Sequence, residues 1–464
     1  MATAMTTPPS PDSNRLNKPM RRYALATLPL MLGILGAGLP AQAGAEGFRA
    51  FTGHGGPVMG VAVAPDGAQL LTASFDYSVG LWTIATEDAP QWLEGHDAAV
   101  NAVAFLPGGR AASAGDDMAV IVWDLTTASP LHRLDGHEGK VMAVAAAPDG
   151  VRVASASWDG TVRIWDSRSG DEVARYSPHA GPVSDVVWSP DGARLFTAGH
   201  DGTVQEIDAA TGTILRRIAA HGFGVNHLAL APDESWLAYG ALDGGTRVVG
   251  LSDDLPMLAD LSLGRRPILG LALSPDADRL AVGDGEGYIM VTDTADWSIL
   301  RDFRAATHGP IWALAFTGSG EGVIAGSVAD EAFLWPVLST APPPRLADEP
   351  AEFQADPALM ENGERQFVRK CAVCHTLTPD GARRAGPSLH GVFGRQAGGL
   401  EGYNYSPALR EIDIIWTEAT IDALFDIGPD NLTPGSKMPM QQITSAQDRT
   451  DLVAFLRRET EESD

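Results

Sequence analysis

From residue 48 to about residue 338 the chain repeats one pattern: three short apolar, β-branched runs separated by polar turn signals such as APDG, SPDG and WDG. The fullest copies span residues 53–83, 95–124 and 136–166, and weaker ones begin at Pro178, Ala220, near Arg266 and at Thr307. Histidines mark the copies at His54, His96, His137, His179 and His221, every 41 or 42 residues, and His308 falls two periods further on. The sixth copy has lost its histidine. Self-similarity at a fixed period of this length predicts an array of small sheets, each too small to bury its faces alone.

The copies resemble the WD-repeat family of β-propellers, most closely in the first three. The resemblance implies an all-β, seven-bladed propeller over residues 47–338. It also implies a hydrogen-bonded set in each blade: His137, Ser155 or Ser157, Asp159 and Trp165 in the third copy, with Asp117 and Trp123 in matching places in the second. The last copy stops at FLWPV, one outer strand short, and GFRAF at 47–51 is placed to supply that strand and protect the edges of the ring. Equivalent histidines on different blades lie around a ring, so they cannot converge on one metal ion. GDGEGY at 283–288 falls in a strand-to-strand turn and opens no helix, which fails the context test for a phosphate loop. The propeller therefore reads as a rigid binding platform with no catalytic constellation.

The period breaks at 339–355, where three successive prolines and several charges predict an extended, semi-rigid linker. Residues 356–464 then follow a helical pattern. Asp356 and Pro357 read as N-cap and first helical residue of a helix running into the cysteines. A second helix is expected at 417–428, capped by Thr417 and stopped by Gly428. A third follows Ser445, with Asp448 as capping partner and Leu452, Val453, Phe455 and Leu456 as its apolar face.

At the other end, Arg15, Lys18, Arg21 and Arg22 precede an apolar run that ends at AQA. This predicts an export signal over residues 1–43, cut near Ala43, by a general or twin-arginine route, with Met1 or Met20 as the start. A membrane anchor is the alternative, but Pro29 and several glycines interrupt the run, so no stable span is expected after cleavage. The expectation is a periplasmic or otherwise exported protein. The formal net charge of −26 excludes the basic, phosphate-neutralising surface of a nucleic-acid binder.

The chain has two cysteines, and both stand in RKCAVCHTL at 369–377, with His375 directly behind Cys374. Cys-x-x-Cys-His is the attachment motif of c-type haem. Two thiols on one turn can add to the two porphyrin vinyl groups, which leaves the next residue as an axial imidazole. A thioredoxin-like pair would need a βαβ setting, a zinc site would need a fourth ligand, and a plain disulfide would leave His375 unexplained.

The surroundings of the motif, from GERQFVRKCAVCHTL through AGPSLHGVFGRQAGG and PGSKMPM to DRTDLVAFLRR, resemble a class I, mitochondrial-type cytochrome c. That resemblance implies an all-α domain with one covalent haem c, ligated by His375 and Met438, Met440 being the competitor. It further implies that Pro387 orients His375, that Arg395, Tyr405 and Trp416 hold a propionate, and that Gly363 and Phe367 lie where the first and last helices cross. Phe425 and Leu432 replace two family tyrosines. The family's lysine collar is missing, and Glu418, Asp422, Asp426 and Asp430 stand in that region instead.

Two ligands on the iron leave no vacant position, so the expected function is outer-sphere electron transfer to an unidentified redox partner protein, with the propeller as docking platform. The alternatives are a haem-dependent oxidoreductase whose propeller holds a substrate or second cofactor, and a redox-reporting scaffold.

Overall fold

A computed structural model of the protein describes residues 48–306, 308–339, 360–379, 384–403, 405–438 and 440–460. The expected leader at 1–43 and residues 340–359 lie outside them. The helix that enters the cysteines is Asn362–Lys370, with Glu361 before it at an extended ψ of 158°, so that helix does not start at Asp356 and Pro357 as expected. Among the described residues, no helix is long and apolar enough to cross a membrane.

The repeat folds into seven four-stranded antiparallel sheets. In each, the second strand is buried almost throughout, as in Gln69–Ser74, Arg152–Ser157 and Arg194–Gly199. A strand covered on both faces has no room for alternation, which explains its run of small and apolar residues. The outermost strands, such as Glu172–Tyr176, keep one face in water. The last sheet takes its outer strand from the start of the described chain. Arg49–Thr52 pairs with Glu331–Pro336 in the register Arg49↔Leu334 to Thr52↔Glu331. Phe51 is 1% exposed, and the Phe48 ring meets Trp335 edge-on with centroids 4.7 Å apart.

The expected polar sets form inside the first three blades. His137 donates from Nδ1 to Asp159 (2.8 Å), its Nε2 accepts from the Ser155 hydroxyl (2.8 Å), and the Trp165 indole N–H donates to the same hydroxyl (2.9 Å). Ser155 fills this place because its hydroxyl lies between the His137 ring and the Trp165 indole. Ser157, two residues on, donates instead to the Gly139 carbonyl. His96, Ser113, Asp117 and Trp123 repeat the set, as do His54, Thr72, Asp76 and Trp82. In the sixth blade Arg265 replaces the lost histidine and reaches Asp284 at 2.9 Å. His308 of the seventh blade is exposed and builds no such set, and the Trp335 indole N–H there has no partner among the described residues.

These sets make stability fall in acid. Burial lowers the His137 and His179 pKa despite their aspartate partners, so the unfolded chain takes up protons first as pH drops below about 6.5. Burial alone would raise the Asp76 carboxyl, but hydrogen bonds from His54, the Gly55 amide and Ser78 hold it at about 2, against 3.8 unperturbed. Its contribution is present above 3.8 and is lost as pH falls toward 2. Chemical denaturation between pH 4 and 2 should show wild type losing on the order of 2 kcal/mol more than Asp76→Asn. Parallel curves would refute this.

The C-terminal domain is built on five helices among the described residues: α1 (Asn362–Lys370), α2 (Pro407–Glu411), α3 (Glu418–Ile427), α4 (Pro429–Leu432) and α5 (Ala446–Thr460). Helix α3 has the expected Thr417 cap, completed as a capping box by Thr420, and ends at Gly428 with φ 87°. The Ser445 hydroxyl accepts from the Asp448 amide at the start of α5. The short helices α2 and α4 escape a periodicity search because they span barely one turn. Helices α1 and α5 cross at Gly363, where a Cβ would lie 2.2 Å from the Asp451 carbonyl oxygen, and the Phe367 and Phe455 rings meet beside it at 5.5 Å.

Candidate functional site

The helices of this domain enclose a mostly apolar cleft of about 1120 Å³, its open mouth included. All eight residues singled out from the sequence line it: Cys371, Cys374 and His375 behind α1, Pro387 and Arg395 in the following loops, and Tyr405, Trp416 and Met438 beyond.

The cysteines sit on the turn that ends α1. The Cys371 amide donates to the Phe367 carbonyl (2.7 Å), and the Cys374 and His375 amides both donate to the Cys371 carbonyl (2.9 and 2.8 Å). Both cysteines are free and buried. Burial pushes the Cys371 thiol up to about 12 and the Cys374 thiol up to about 11, so neither is a thiolate nucleophile at neutral pH. Among the described residues no group of three or more His, Cys, Asp or Glu is arranged to hold a metal ion.

His375 is held from two sides. Its Nδ1–H donates to the Pro387 carbonyl at 2.7 Å, which leaves the Nε2 lone pair for another partner. Burial lowers its pKa, which favours that neutral form. Its ring lies against Gly386, where a Cβ would come within 2.3 Å of Cε1. Arg395 donates to the carbonyls of Ser388 (2.7 Å) and His390 (3.1 Å), which fixes the guanidinium at the cleft wall. Met438 lines the cleft, whereas Met440 is 49% exposed and lies outside it, over Gly428. The Oε1 atom of Gln441 is buried at the cleft with no partner among the described residues. Neutral thiols, an oriented imidazole, a thioether and apolar walls together suit a haem.

The acidic residues of α3 are answered within the domain. Arg449 reaches Asp422 (2.9 Å) and Asp426 (3.0 Å), and Arg457 approaches Glu418 (3.7 Å). They are therefore less a bare acidic collar than their sequence suggests.

Sequence reasoning missed Tyr77, Arg384 and Lys437, through which the propeller meets this domain. Tyr77 lines the cleft, and its hydroxyl donates to the Lys437 carbonyl (3.1 Å). Lys437 reaches the His96 carbonyl (3.4 Å) and Asp97 (3.3 Å), and Arg384 donates to the Gly55 carbonyl (3.2 Å). One signal was available. Tyr77 stands in the turn position that the second copy fills with Met118 and the third to fifth with Gly160, Gly202 and Gly244.

Comparison with known proteins agrees with both halves. Residues 47–83, 90–124, 128–166, 170–208 and 212–249 match the WD domain, G-beta repeat family, and residues 360–459 match the Cytochrome c family. The repeat matches stop before the last two blades. Over 109 residues the chain is 39% identical to cytochrome c of Sesamum indicum, covering 23% of this chain and 96% of the relative, and the same holds for that of Gossypium barbadense. Cytochrome c of Gibberella zeae is 38% identical over 101 residues, covering 22% and 94%.

These plant and fungal relatives are of mitochondrial type and not periplasmic, and this overturns the expected periplasmic or exported localisation. A basic stretch before an apolar run describes how a leader could be handled, and fixes no compartment by itself. The family implies a haem c cofactor and haem-based electron transfer, and the WD repeats imply interaction with other proteins. The chain belongs to the cytochrome c family, its family domain following a seven-bladed WD-repeat propeller.

Proposed function

We propose that the protein is an electron carrier with one covalently held haem per chain, ligated by His375 and Met438, whose propeller holds the haem domain and docks the redox partner. The observation that carries this reading is the convergence of Cys371, Cys374, His375 and Met438 on one apolar cleft.

When bound, the haem supplies a reversible one-electron couple. Cys371 and Cys374 would each be joined to it by a thioether bond. The Pro387 carbonyl keeps the proton of His375 on Nδ1, which leaves Nε2 as the atom that would hold the iron. Met438 would fill the sixth position, and with both positions held by side chains no site remains for a small substrate. Arg395, Tyr405 and Trp416 would hold a propionate. Apolar walls keep water away, which limits the reorganisation that accompanies electron transfer.

The propeller contacts through Tyr77, His96, Asp97 and Gly55 support a positioning role for that face, which leaves the rest of the ring to a partner.

The ligand assignment is tested by absorption spectroscopy. The oxidised protein is expected to show the weak far-red band of methionine-to-iron charge transfer. Met438→Ala should abolish it and open the iron to cyanide or carbon monoxide, while Met440→Ala changes neither. The reverse outcome would move the ligand to Met440.

A further inference from the structure

We infer that Tyr77 of the propeller is a positioning residue for the loop that carries Met438, so that the propeller itself helps keep the sixth ligand in place. The inference rests on the proposed ligation by Met438.

Three observations carry it. Tyr77 is the propeller residue that lines the cleft, beside Cys374, His375 and Met438. Its hydroxyl donates to the carbonyl of Lys437, the residue directly before Met438, at 3.1 Å. Its backbone is held at φ 72°, a left-handed conformation that a tyrosine adopts only at a cost. In the same turn of other blades Gly160, Gly202, Gly244 and Gly287 take φ values of 81 to 90°, and Met118 of the second blade takes 63°. For the propeller alone, glycine would serve better at position 77. At Tyr77, unlike at Met118, the side chain that stands in for glycine has a hydrogen-bond partner in the other domain.

The surrounding contacts make the loop a two-point attachment. The Lys437 backbone is held by Tyr77, and its ammonium reaches the His96 carbonyl and Asp97 on the neighbouring blade. No residue within the C-terminal domain donates to the Lys437 carbonyl among the hydrogen bonds of the described residues. The loop is thereby clamped from outside the domain that uses its methionine.

The test uses the full-length ferric protein and two variants, Tyr77→Phe and Tyr77→Gly, with cyanide as the probe. Cyanide must displace Met438, so its apparent affinity reads how firmly the loop is held. Tyr77→Phe removes one oxygen and keeps the ring. It is expected to tighten cyanide binding about fivefold, the scale of one net hydrogen bond, and to lower the temperature at which the far-red band fades.

Tyr77→Gly should do the same while the propeller's own unfolding temperature stays level or rises, because the turn relaxes. A merely structural tyrosine would give the opposite pattern: a destabilised propeller with cyanide affinity unchanged. If the wild type shows the far-red band but neither variant alters cyanide affinity, the inference is overturned and the ligand reading stands. A wild type without the band overturns both.

Discussion

Replacing either motif cysteine, Cys371→Ala or Cys374→Ala, is expected to lower the yield of haem-bearing protein roughly 10-fold or more, at least what loss of a supporting group around a metal site costs. In the wild type, acid-acetone extraction should leave one haem per chain on the protein. The reason is geometric. Both thiols project from the turn that closes α1, tied by amides that donate to the Phe367 and Cys371 carbonyls, and both are buried in the cleft wall beside His375. Under the proposed attachment, loss of one thiol would leave a single thioether, with packing and the proposed His375 and Met438 ligands as the rest of the hold. Quantitative release of haem from the wild type into acid acetone, or full holoprotein yield from both single variants, would refute the covalent attachment.

Deleting Arg49–Thr52 should be the most damaging small change to the propeller. It removes the ladder from Arg49↔Leu334 to Thr52↔Glu331, exposes the edge of Glu331–Pro336 and withdraws Phe51, which is 1% exposed. Truncation of Phe51 alone, as Phe51→Ala, is expected to cost about 3–5 kcal/mol. The full deletion should exceed that, and so consume much of a stability that is roughly 5–15 kcal/mol for most domains. Met257→Ala, on an outer strand and 61% exposed, serves as the control and should stay within about 0.5 kcal/mol. Urea titration followed by circular dichroism measures all three. If the deletion matched the control, the ring would not depend on this closure.

What the sequence determined is local or periodic. The motif at 371–375 places two thiols and an imidazole on one turn whatever surrounds it, because that spacing is set by backbone geometry. The period of 41 or 42 residues required seven equivalent sheets, since each copy carries the same apolar runs and none could be buried alone. Thr417 and Gly428 bounded α3 for the same kind of reason: a cap is satisfied by residues three positions away.

Other features depended on which surfaces meet. Ser155 and not Ser157 meets His137. The two serines share a face of the strand, but only Ser155 lies level with the histidine and the Trp165 indole, while Ser157 at the strand end reaches the Gly139 carbonyl. Arg265 took over a place that a periodic histidine had vacated, which no spacing rule predicts. The placing of Met438 in the cleft and of Met440 outside it comes from the path of the loop across Gly428. The meeting of Tyr77 with Lys437 joins residues 360 positions apart in separate domains. Periodicity and capping act over a few residues, so only packing of the folded domains decides which distant side chains share a cleft.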